Sequence, residues 1–489
     1  MSLFQAEDIT ASYLRAGVRT TLLSGASFSL EAGGVYDLVG PSGSGKSTLL
    51  RVCARMLARD GGELFLDGAP SSSFEPVQWR RRVCLVPQQP ALVGGTVRDN
   101  LLLPWTLSVN AGSAPPADGD LERLLEAADL HDVELGRNAA QLSGGQAARV
   151  RHAAPGAAAR RGGRRARRRV GSRGGAPDQI ARRRSHGLSA HPTPRCRRRG
   201  LRHLLAARRG AVVRVARRRR RGRDALVSGG VVDIGYVELF SASALMLVAG
   251  LVSWKLELGQ TRRIVVSSVR CFMQLLAAGF LLTYLFEFQT WWLVALVLAA
   301  MVIAATQIAV SRVKSRIPGL VPSVFVSLFV SSLVVGFIVV EGVVRADPWF
   351  HARQVVPIVG MIMGNAMAAV AVAIDRLFSD LDARASEMFS LTALGATPRE
   401  AAAPSLKAAI GAGMTPVLAN MSAAGIVTFP GMMTGQLLAG ADPLSAAKYQ
   451  IVVMLMLSAA NTVAIVTACF MTYRKRFAPD GYYLDEGIR

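Results

Sequence analysis

Long apolar stretches are concentrated in the second half of the chain, whereas the first 150 residues alternate short apolar runs with polar turns. Windows of about 20 residues with few charges recur after residue 236, and a hydrocarbon layer about 30 Å thick demands helices of this length. Soluble helices rarely carry a run such as WWLVALVLAAMVIAA without a polar face. The pattern predicts an all-α, polytopic membrane domain over residues 231–489 with about seven transmembrane helices, at about 237–256, 264–286, 290–311, 319–341, 355–375, 412–433 and 447–472.

The segment GGVYDLVGPSGSGKSTLLRVCARML reads as a short apolar strand, a glycine-rich loop and an amphipathic helix. Small residues in such a loop allow backbone N–H groups to wrap phosphates, and the helix N-terminus adds the positive end of its dipole. We therefore predict an α/β P-loop NTPase domain over residues 1–150 that binds ATP and Mg²⁺. Lys46 is expected to reach the terminal phosphates and Ser47 to ligate Mg²⁺. The other predicted phosphate-site residues are Gly40, Ser42, Gly43, Gly45 and Thr48.

Further motifs accompany this loop. Gln88 follows it by about forty residues, the helix start TVRDN comes next, and LSGGQ occupies residues 142–146. With these motifs, residues 1–150 resemble the ATP-binding subunit of an ABC transporter. The resemblance implies that Gln88 senses Mg²⁺ and that Tyr13 stacks on adenine, although Tyr13 also fits an ordinary strand aromatic. It further implies that a nucleotide held by a partner subunit contacts Ser143, Gly144, Gly145 and Gln146.

The positive charge of the chain is local. The net charge is +24, and residues 151–223 alone hold 26 Arg and one acid, Asp178. That segment contains no Lys, Phe, Tyr or Trp, whereas phosphate-binding surfaces mix Lys with Arg and add stacking aromatics. We therefore expect no nucleic-acid partner. We interpret residues 151–230 as a disordered segment that represents the rest of the ATPase read in a shifted frame of GC-rich DNA. A basic linker and a nucleic-acid arm are the alternatives.

The ATPase predicted here is incomplete. ABC ATPases require an apolar strand ending in Asp-Glu soon after LSGGQ, and later a switch histidine on another strand. Neither pattern occurs in this sequence. No catalytic residue is therefore identifiable, and we expect the chain as written to bind nucleotide without turning it over.

The membrane half carries long, idiosyncratic strings, namely VRCFMQLL, GMIMGNAM, LTALGATPREA and FPGMMTGQLLAGADP. Over residues 236–476 these strings resemble the permease family that includes bacterial iron exporters and plant aluminium-tolerance permeases. The resemblance implies an ATP-driven exporter of metal ions, with iron as the leading substrate, in the bacterial inner membrane with its ATPase domain cytoplasmic. Since an ATP sandwich needs two ATPase domains, we expect a homodimer. The alternatives are an inactive or artefactual fusion in which only the permease half folds, and an exporter of a different small solute.

Polar residues within the spans are candidates for the transport path. Arg270 and Gln274 are spaced i, i+4 on one helix face, and polar groups in a membrane helix usually face protein or water. Snorkelling and helix pairing are the alternatives. Further candidates are the single amides Asn365, Asn420 and Gln436. Clustered methionines suit gap-filling better than metal ligation.

The stretch ASEMFSLTALGATPREAAAP, residues 385–404, lies between the fifth and sixth predicted spans. It resembles the coupling segment by which ABC permeases dock into their ATPase. Glu387, Gly395 and Arg399 are the candidates for that contact, and an ordinary cytoplasmic loop is the alternative.

Loop charges predict the orientation. The loops after the first, third and fifth predicted spans, with the start of the tail and the adjoining span ends, hold 13 Lys and Arg, against 3 in the alternate loops counted in the same way. The positive-inside rule places the 13-residue side in the cytoplasm and the residue 236 end outside. The ATPase half precedes that outer end but must work in the cytoplasm. We therefore predict that the native system is two polypeptides, a soluble ATPase ending near residue 230 and a permease starting near Val231 or Val232.

Overall fold

A computed structural model describes residues 2–15, 18–87, 91–159 and 246–484, apart from positions 247, 249, 258, 260, 289, 316 and 345–349. The described parts of the ATPase half and of the membrane half belong to one compact unit. Residues 165–230, which hold most of the Arg-rich segment, lie outside the described residues, as does the interpretation of that segment.

The ATPase half begins with an antiparallel sheet of four strands in the order β2-β1-β3-β4. The strands are β1 (Ser2–Arg15), β2 (Val18–Glu31), β3 (Gly61–Leu66) and β4 (Ala69–Pro70). Phe4 and Ala6 of β1 are buried, and a register shift then moves burial to Ile9 and Ala11. The buried residues stand at even positions before the register shift and at odd positions after it. The irregular pairing at the shift therefore keeps them on the same face of β1. That face packs on α1 (Lys46–Cys53) and on α2 (Pro76–Arg82).

The strand predicted just before the phosphate loop is not formed. Residues 34–40 are irregular, and Val35 and Val39 are 97% and 88% exposed. A strand that precedes a P-loop is normally buried on both faces and paired by parallel neighbours. The described residues supply no such neighbours, because the sheet formed by β1 to β4 is wholly antiparallel. The prediction of a strand was wrong here because it needs pairing partners from elsewhere in the chain.

Three helices form a second cluster of the ATPase half. They are α3 (Val97–Thr106), α4 (Asp118–Ala127) and α5 (Gly144–Ala159). The predicted helix start at TVRDN is confirmed, since Thr96 and Asp99 form a reciprocal capping box at the start of α3. Val150 and Ala154 of α5 are both buried in this cluster. The predicted domain border at residue 150 therefore falls inside a packed helix.

The described part of the membrane half consists of helices. Five stretches are long and apolar enough to cross a membrane: Ile264–Phe288, Trp291–Arg312, Leu320–Gly342, Ala352–Ala383 and Pro443–Arg476. They correspond to the second, third, fourth, fifth and seventh predicted windows. The helices are α6 (Thr261–Phe288), α7 (Trp291–Arg312), α8 (Leu320–Phe337), α9 (Ala352–Ala383), α10 (Ala385–Ala393), α11 (Pro398–Ala423), α12 (Gly431–Leu438) and α13 (Pro443–Thr472).

The other two predicted windows have different outcomes. The first, 237–256, lies largely outside the described residues. The sixth, 412–433, is not one helix, because α11 ends at Ala423 and α12 begins at Gly431. A turn with Gly425 at φ +81° lies between them, and Pro430 serves as the N-cap of α12. Hydropathy detects the apolar run but does not detect the break that glycine and proline impose.

The core of the membrane half lies between α7, α8, α9, α11 and α13. Serines and small residues allow these helices to approach closely; for example, Ser331 of α8 is fully buried and donates a hydrogen bond to the Ala460 carbonyl of α13 at 2.7 Å. Helix α6 differs from them. None of its apolar window is buried within the chain, against 56% in α8 and α9. Helix α6 therefore exposes most of its apolar surface, and only its C-terminal end, at Leu285, is buried in the core.

Candidate functional site

The phosphate loop joins an irregular segment to α1. Gly43 and Gly45 adopt φ values of +84° and +86°, the left-handed region that favours glycine. A Cβ atom on Gly45 would lie 2.9 Å from the Leu22 carbonyl oxygen, so no other residue fits there without movement. Lys46 donates from Nζ to the carbonyl oxygens of Gly40 and Pro41, at 2.7 Å each. The lysine ammonium is thereby held over the loop itself.

These residues fit the phosphate end of ATP. The two left-handed glycines free the loop from side-chain obstruction, and α1 begins at Lys46 with no acidic residue in its first turn. Loop amides and Lys46 would hold the phosphates, while the Ser47 hydroxyl would ligate Mg²⁺. Bound ATP would supply the free energy released when it reacts with water to give ADP and phosphate.

Two predicted nucleotide contacts cannot be placed. Gln88 lies outside the described residues, and Tyr13 lies in β1 while its side chain is outside the description.

The signature motif caps α5. The Ser143 N–H donates to Gln146 Oε1 at 3.0 Å, and the Gln146 N–H donates to Ser143 Oγ at 3.3 Å. Gln146 Nε2 also donates to Asp132 Oδ2 at 3.0 Å. Gly144 and Gly145 have nothing within 4 Å of an added Cβ, so their backbone lies open at the helix N-terminus. The loop and the signature pack in separate hydrophobic clusters, and the structure does not bring them into one cluster.

The turn between α10 and α11 touches the ATPase half. Gly395 in this turn has φ +91°, and a Cβ there would lie 3.2 Å from the Val77 carbonyl oxygen of α2 and 3.3 Å from Val109 Cγ1. Beside it, the Ser108 N–H donates to Glu400 Oε1 at 2.6 Å. The turn thus contacts the ATPase half at two points, through the backbone of Gly395 and through the carboxylate of Glu400.

Glu400 is an interface residue that sequence reasoning missed. Its second oxygen, Oε2, accepts from the Thr397 N–H and hydroxyl at 2.8 and 2.7 Å, which completes a capping box on α11. Burial raises the pKa of Glu400, but the hydrogen bonds from Thr397 and Ser108 outweigh burial and hold the pKa below its usual value. The T-x-x-E pattern in TPRE predicts the cap. It does not predict that the free oxygen faces the ATPase half.

A second contact joins α5 to α10. Arg151 is buried and donates from Nη2 to the Ser390 carbonyl oxygen at 2.9 Å. Burial lowers the pKa of Arg151 to about 10, while Cys84 and Glu387 act in the opposite direction. The first arginine of the Arg-rich segment is therefore a packed residue, on the helix that the LSGGQ motif begins.

The three predicted coupling residues occupy different surroundings. Gly395 lies against the ATPase half, as described above. Glu387 is near Arg151, but its carboxylate oxygens accept from Arg384 of the membrane half at 2.5 and 2.8 Å. The Arg399 guanidinium lies over the Phe470 ring, 5.6 Å from its centroid, and thus packs on α13.

The predicted path residues do not converge within the described chain. Arg270, Gln274, Asn365 and Asn420 are exposed, and Gln436 is half-buried. Asn365 Nδ2 donates to the Met361 carbonyl of its own helix at 2.9 Å. Among the described residues, no group of three or more His, Cys, Asp or Glu side chains is placed to hold a metal ion.

Comparisons with known proteins match both halves. The uncharacterised protein family UPF0014 matches residues 236–477, and the ABC transporter family matches residues 23–154. The probable iron export permease protein FetB of Escherichia coli is 32% identical over 234 residues, which cover 48% of this chain and 89% of FetB. Protein ALUMINUM SENSITIVE 3 of Arabidopsis thaliana is 31% identical over 243 residues, with 50% and 88% covered. The human ABC-type oligopeptide transporter ABCB9 is 37% identical over 149 residues, which cover 29% of this chain and 19% of ABCB9.

Proposed function

The chain belongs to the UPF0014 membrane protein family and carries an ABC transporter domain at its N-terminus, and on this basis we propose that it represents an ATP-driven exporter of metal ions. Iron is the leading substrate, and the bacterial inner membrane is its location. ATP and Mg²⁺ are the cofactors, and the ATPase half faces the cytoplasm. We further propose that the window at 237–256, which lies largely outside the described residues, supplies another span, whereas the window at 412–433 is divided between α11 and α12.

The observation that carries this proposal is the contact of the α10–α11 turn with the ATPase half. Gly395 approaches the Val77 carbonyl, and Glu400 accepts a hydrogen bond from Ser108. The same membrane segment also contacts α5, the helix that LSGGQ begins. A nucleotide-dependent movement of the signature helix would therefore act directly on the segment that joins two long membrane helices.

A second copy of the chain completes the proposed transport path. Exposed polar side chains on spanning helices are costly in lipid unless protein or water covers them. Arg270 and Gln274 lie on α6, whose apolar window is not buried within the chain, and Asn365 is exposed on α9. We therefore propose a homodimer in which these residues face the partner or the path. The choice of iron is supported by the similarity to FetB, since the described residues hold no cluster of charged metal ligands.

The chain as written is proposed to bind nucleotide without hydrolysing it. The exposed Val35 and Val39 favour this view, because the strand that should support the phosphate loop is unpaired in the described residues. The alternative of an inactive fusion product is favoured by the same observation. Restoring an ATPase frame across residues 151–223 would supply the apolar strand that ends in Asp-Glu, which this sequence lacks after LSGGQ.

The test measures cellular iron and manganese in bacteria under metal overload, with the chain as written and with the restored frame. The restored frame should lower cell iron and show ATPase activity after purification, whereas the chain as written should do neither. Lys46→Ala in the restored frame is the control and should abolish both effects. Unchanged iron and manganese in cells whose restored protein hydrolyses ATP would refute metal export. Turnover by the chain as written would refute the assignment of an incomplete ATPase.

A further inference from the structure

The membrane half ends in a small hairpin after its last helix. Phe477 and Tyr483 pair as an isolated antiparallel bridge, and the turn between them is closed by the Gly481 N–H, which donates to the Ala478 carbonyl at 2.8 Å. The turn sequence A-P-D-G has proline at its second position and glycine at its fourth, as type I turns favour. We call residues 477–484 the C-terminal hairpin.

One side of the C-terminal hairpin is fastened to the membrane half. The Tyr483 hydroxyl donates to Asp382 Oδ1 at 3.0 Å, and Arg476, just before the hairpin, donates to Asp382 Oδ2 at 2.8 Å. The Arg476 side chain is fully buried, and its guanidinium lies 5.6 Å from the centroid of the Phe378 ring. Asp382 stands at the end of α9. The hairpin therefore has a fixed position relative to that helix.

The other side of the hairpin lies on the ATPase half. Asp480 accepts from Arg55 Nη2 at 3.2 Å through its carboxylate and from Arg80 Nη1 at 2.9 Å through its backbone carbonyl. Tyr482 is buried beside Ala54 and Met56. Tyr483 therefore attaches the hairpin to the membrane half, whereas the adjacent Tyr482 packs against the ATPase half.

Contacts within the ATPase half hold Arg55, and the hairpin covers Arg80. Arg55 Nη1 donates to the carbonyl oxygens of Ser71 and Phe74, at 2.8 and 2.9 Å, which orients the guanidinium so that Nη2 points to Asp480. Arg80 is fully buried, and burial lowers its pKa to about 10 while Asp480 acts in the opposite direction. A buried guanidinium is stable only where it is hydrogen-bonded and near a carboxylate, and the hairpin supplies both.

We propose that the C-terminal hairpin is a second docking element for the ATP-binding half, separate from the α10–α11 turn. The turn is one contact between the halves, and the hairpin holds the two halves together through Asp480 and Tyr482. The partner is the surface formed by Arg55, Arg80, Ala54 and Met56 of the ATP-binding half. This docking concerns association of the halves and does not require that the chain hydrolyse ATP or carry metal.

The test uses the full chain with a site for a specific protease inserted within residues 165–230 and an affinity tag after Arg489. After cleavage in detergent, the tagged membrane fragment is immobilised, and release of the N-terminal fragment is followed over time. The parent protein should retain its N-terminal fragment. Asp480→Arg and Tyr482→Ser should each release it at least tenfold faster, since one variant opposes two arginines and the other removes a buried ring.

Two controls separate docking from misfolding. Glu122→Arg makes a similar charge change at an exposed position of α4 and should release the fragment at the parental rate. Asp480→Asn is a mild change that should speed release modestly and reduce its dependence on salt, because it removes the charge that Arg55 pairs with. Parental release rates in Asp480→Arg and Tyr482→Ser, immediate release from the parent, or an equal effect of Glu122→Arg would each overturn the proposal.

Discussion

Glu400→Ala tests the contact between the α10–α11 turn and the ATPase half. The substitution removes the acceptor of the 2.6 Å hydrogen bond from the Ser108 N–H and also the cap of α11. A hydrogen bond to a charged acceptor contributes about 1.5–3 kcal/mol, and the half-buried position of Glu400 favours the lower end of that range. A loss of about 1.5 kcal/mol corresponds to an approximately tenfold weaker association of the two halves. Loss of the cap costs a further ~1 kcal/mol, but that cost falls on α11 itself.

The measurement is the apparent affinity between the two fragments after specific cleavage between the halves. Thr397→Ala is the matched control, because it removes the capping hydroxyl and leaves the Ser108–Glu400 hydrogen bond in place. Glu400→Ala should weaken association about tenfold, whereas Thr397→Ala should weaken it less than twofold. Equal effects of the two variants would show that the cap, and not the inter-half hydrogen bond, governs docking. No effect of Glu400→Ala would refute the reasoning.

The pH dependence of association gives a second check on Glu400. Its pKa is below the ordinary value of 4.5 when the halves are docked. A carboxyl with a depressed pKa contributes stability that is complete above its ordinary pKa and is lost as the pH falls through the depressed value. The contribution of Glu400 to association should therefore not change with pH near neutrality and should be lost as the pH falls below 4.5. Glu400→Gln should remove this component of the acid sensitivity.

Three other outcomes follow from the described contacts. Arg151→Met should change thermal stability by less than about 1 kcal/mol, because the lost hydrogen bond to Ser390 is offset by removal of a buried charge; a large loss in a melting experiment would contradict this. Gly395→Ala and Gly440→Ala should both strain a left-handed backbone by about 1 kcal/mol, yet only Gly395→Ala should weaken fragment association, since Gly440 lies in open space. Lys46→Ala should abolish binding of a fluorescent ATP analogue to the full chain, and retained binding would show that the loop is not the nucleotide site.

Hydropathy predicted most of the membrane half because length and apolar content are properties of single helices. The second predicted window, 264–286, corresponds to the span Ile264–Phe288. The sixth window failed since its glycine and proline end one helix at Ala423 and start another at Gly431. The strand predicted at 34–40 failed for a different reason. Its apolar residues favour a strand, but a strand forms only where neighbouring strands are present to pair with it.

The coupling site shows how one residue decides an interpretation. The sequence favoured Arg399. In the structure, its neighbour Glu400 contacts Ser108 of the ATPase half, while Arg399 packs on Phe470 of the membrane half. Consecutive helical residues point about 100° apart, so the segment can be recognised without knowing which side chain faces the partner. Arg151 could not be recognised either, because the sequence assigns it to the Arg-rich segment 151–223 and only packing distinguishes it.

Helix α9 has the mechanical character of a lever. It ends beside the C-terminal hairpin at Asp382, and Asn365 lies 17 positions earlier, about 25 Å along the axis. No glycine or proline interrupts the residues between them, whereas Pro357, Gly360 and Gly364 precede Asn365. A tilt of about 5° imposed at the hairpin end would sweep Asn365 sideways by about 2 Å. A movement of the ATP-binding half that tilts α9 would then displace this polar group at a distance of about 25 Å from the contact.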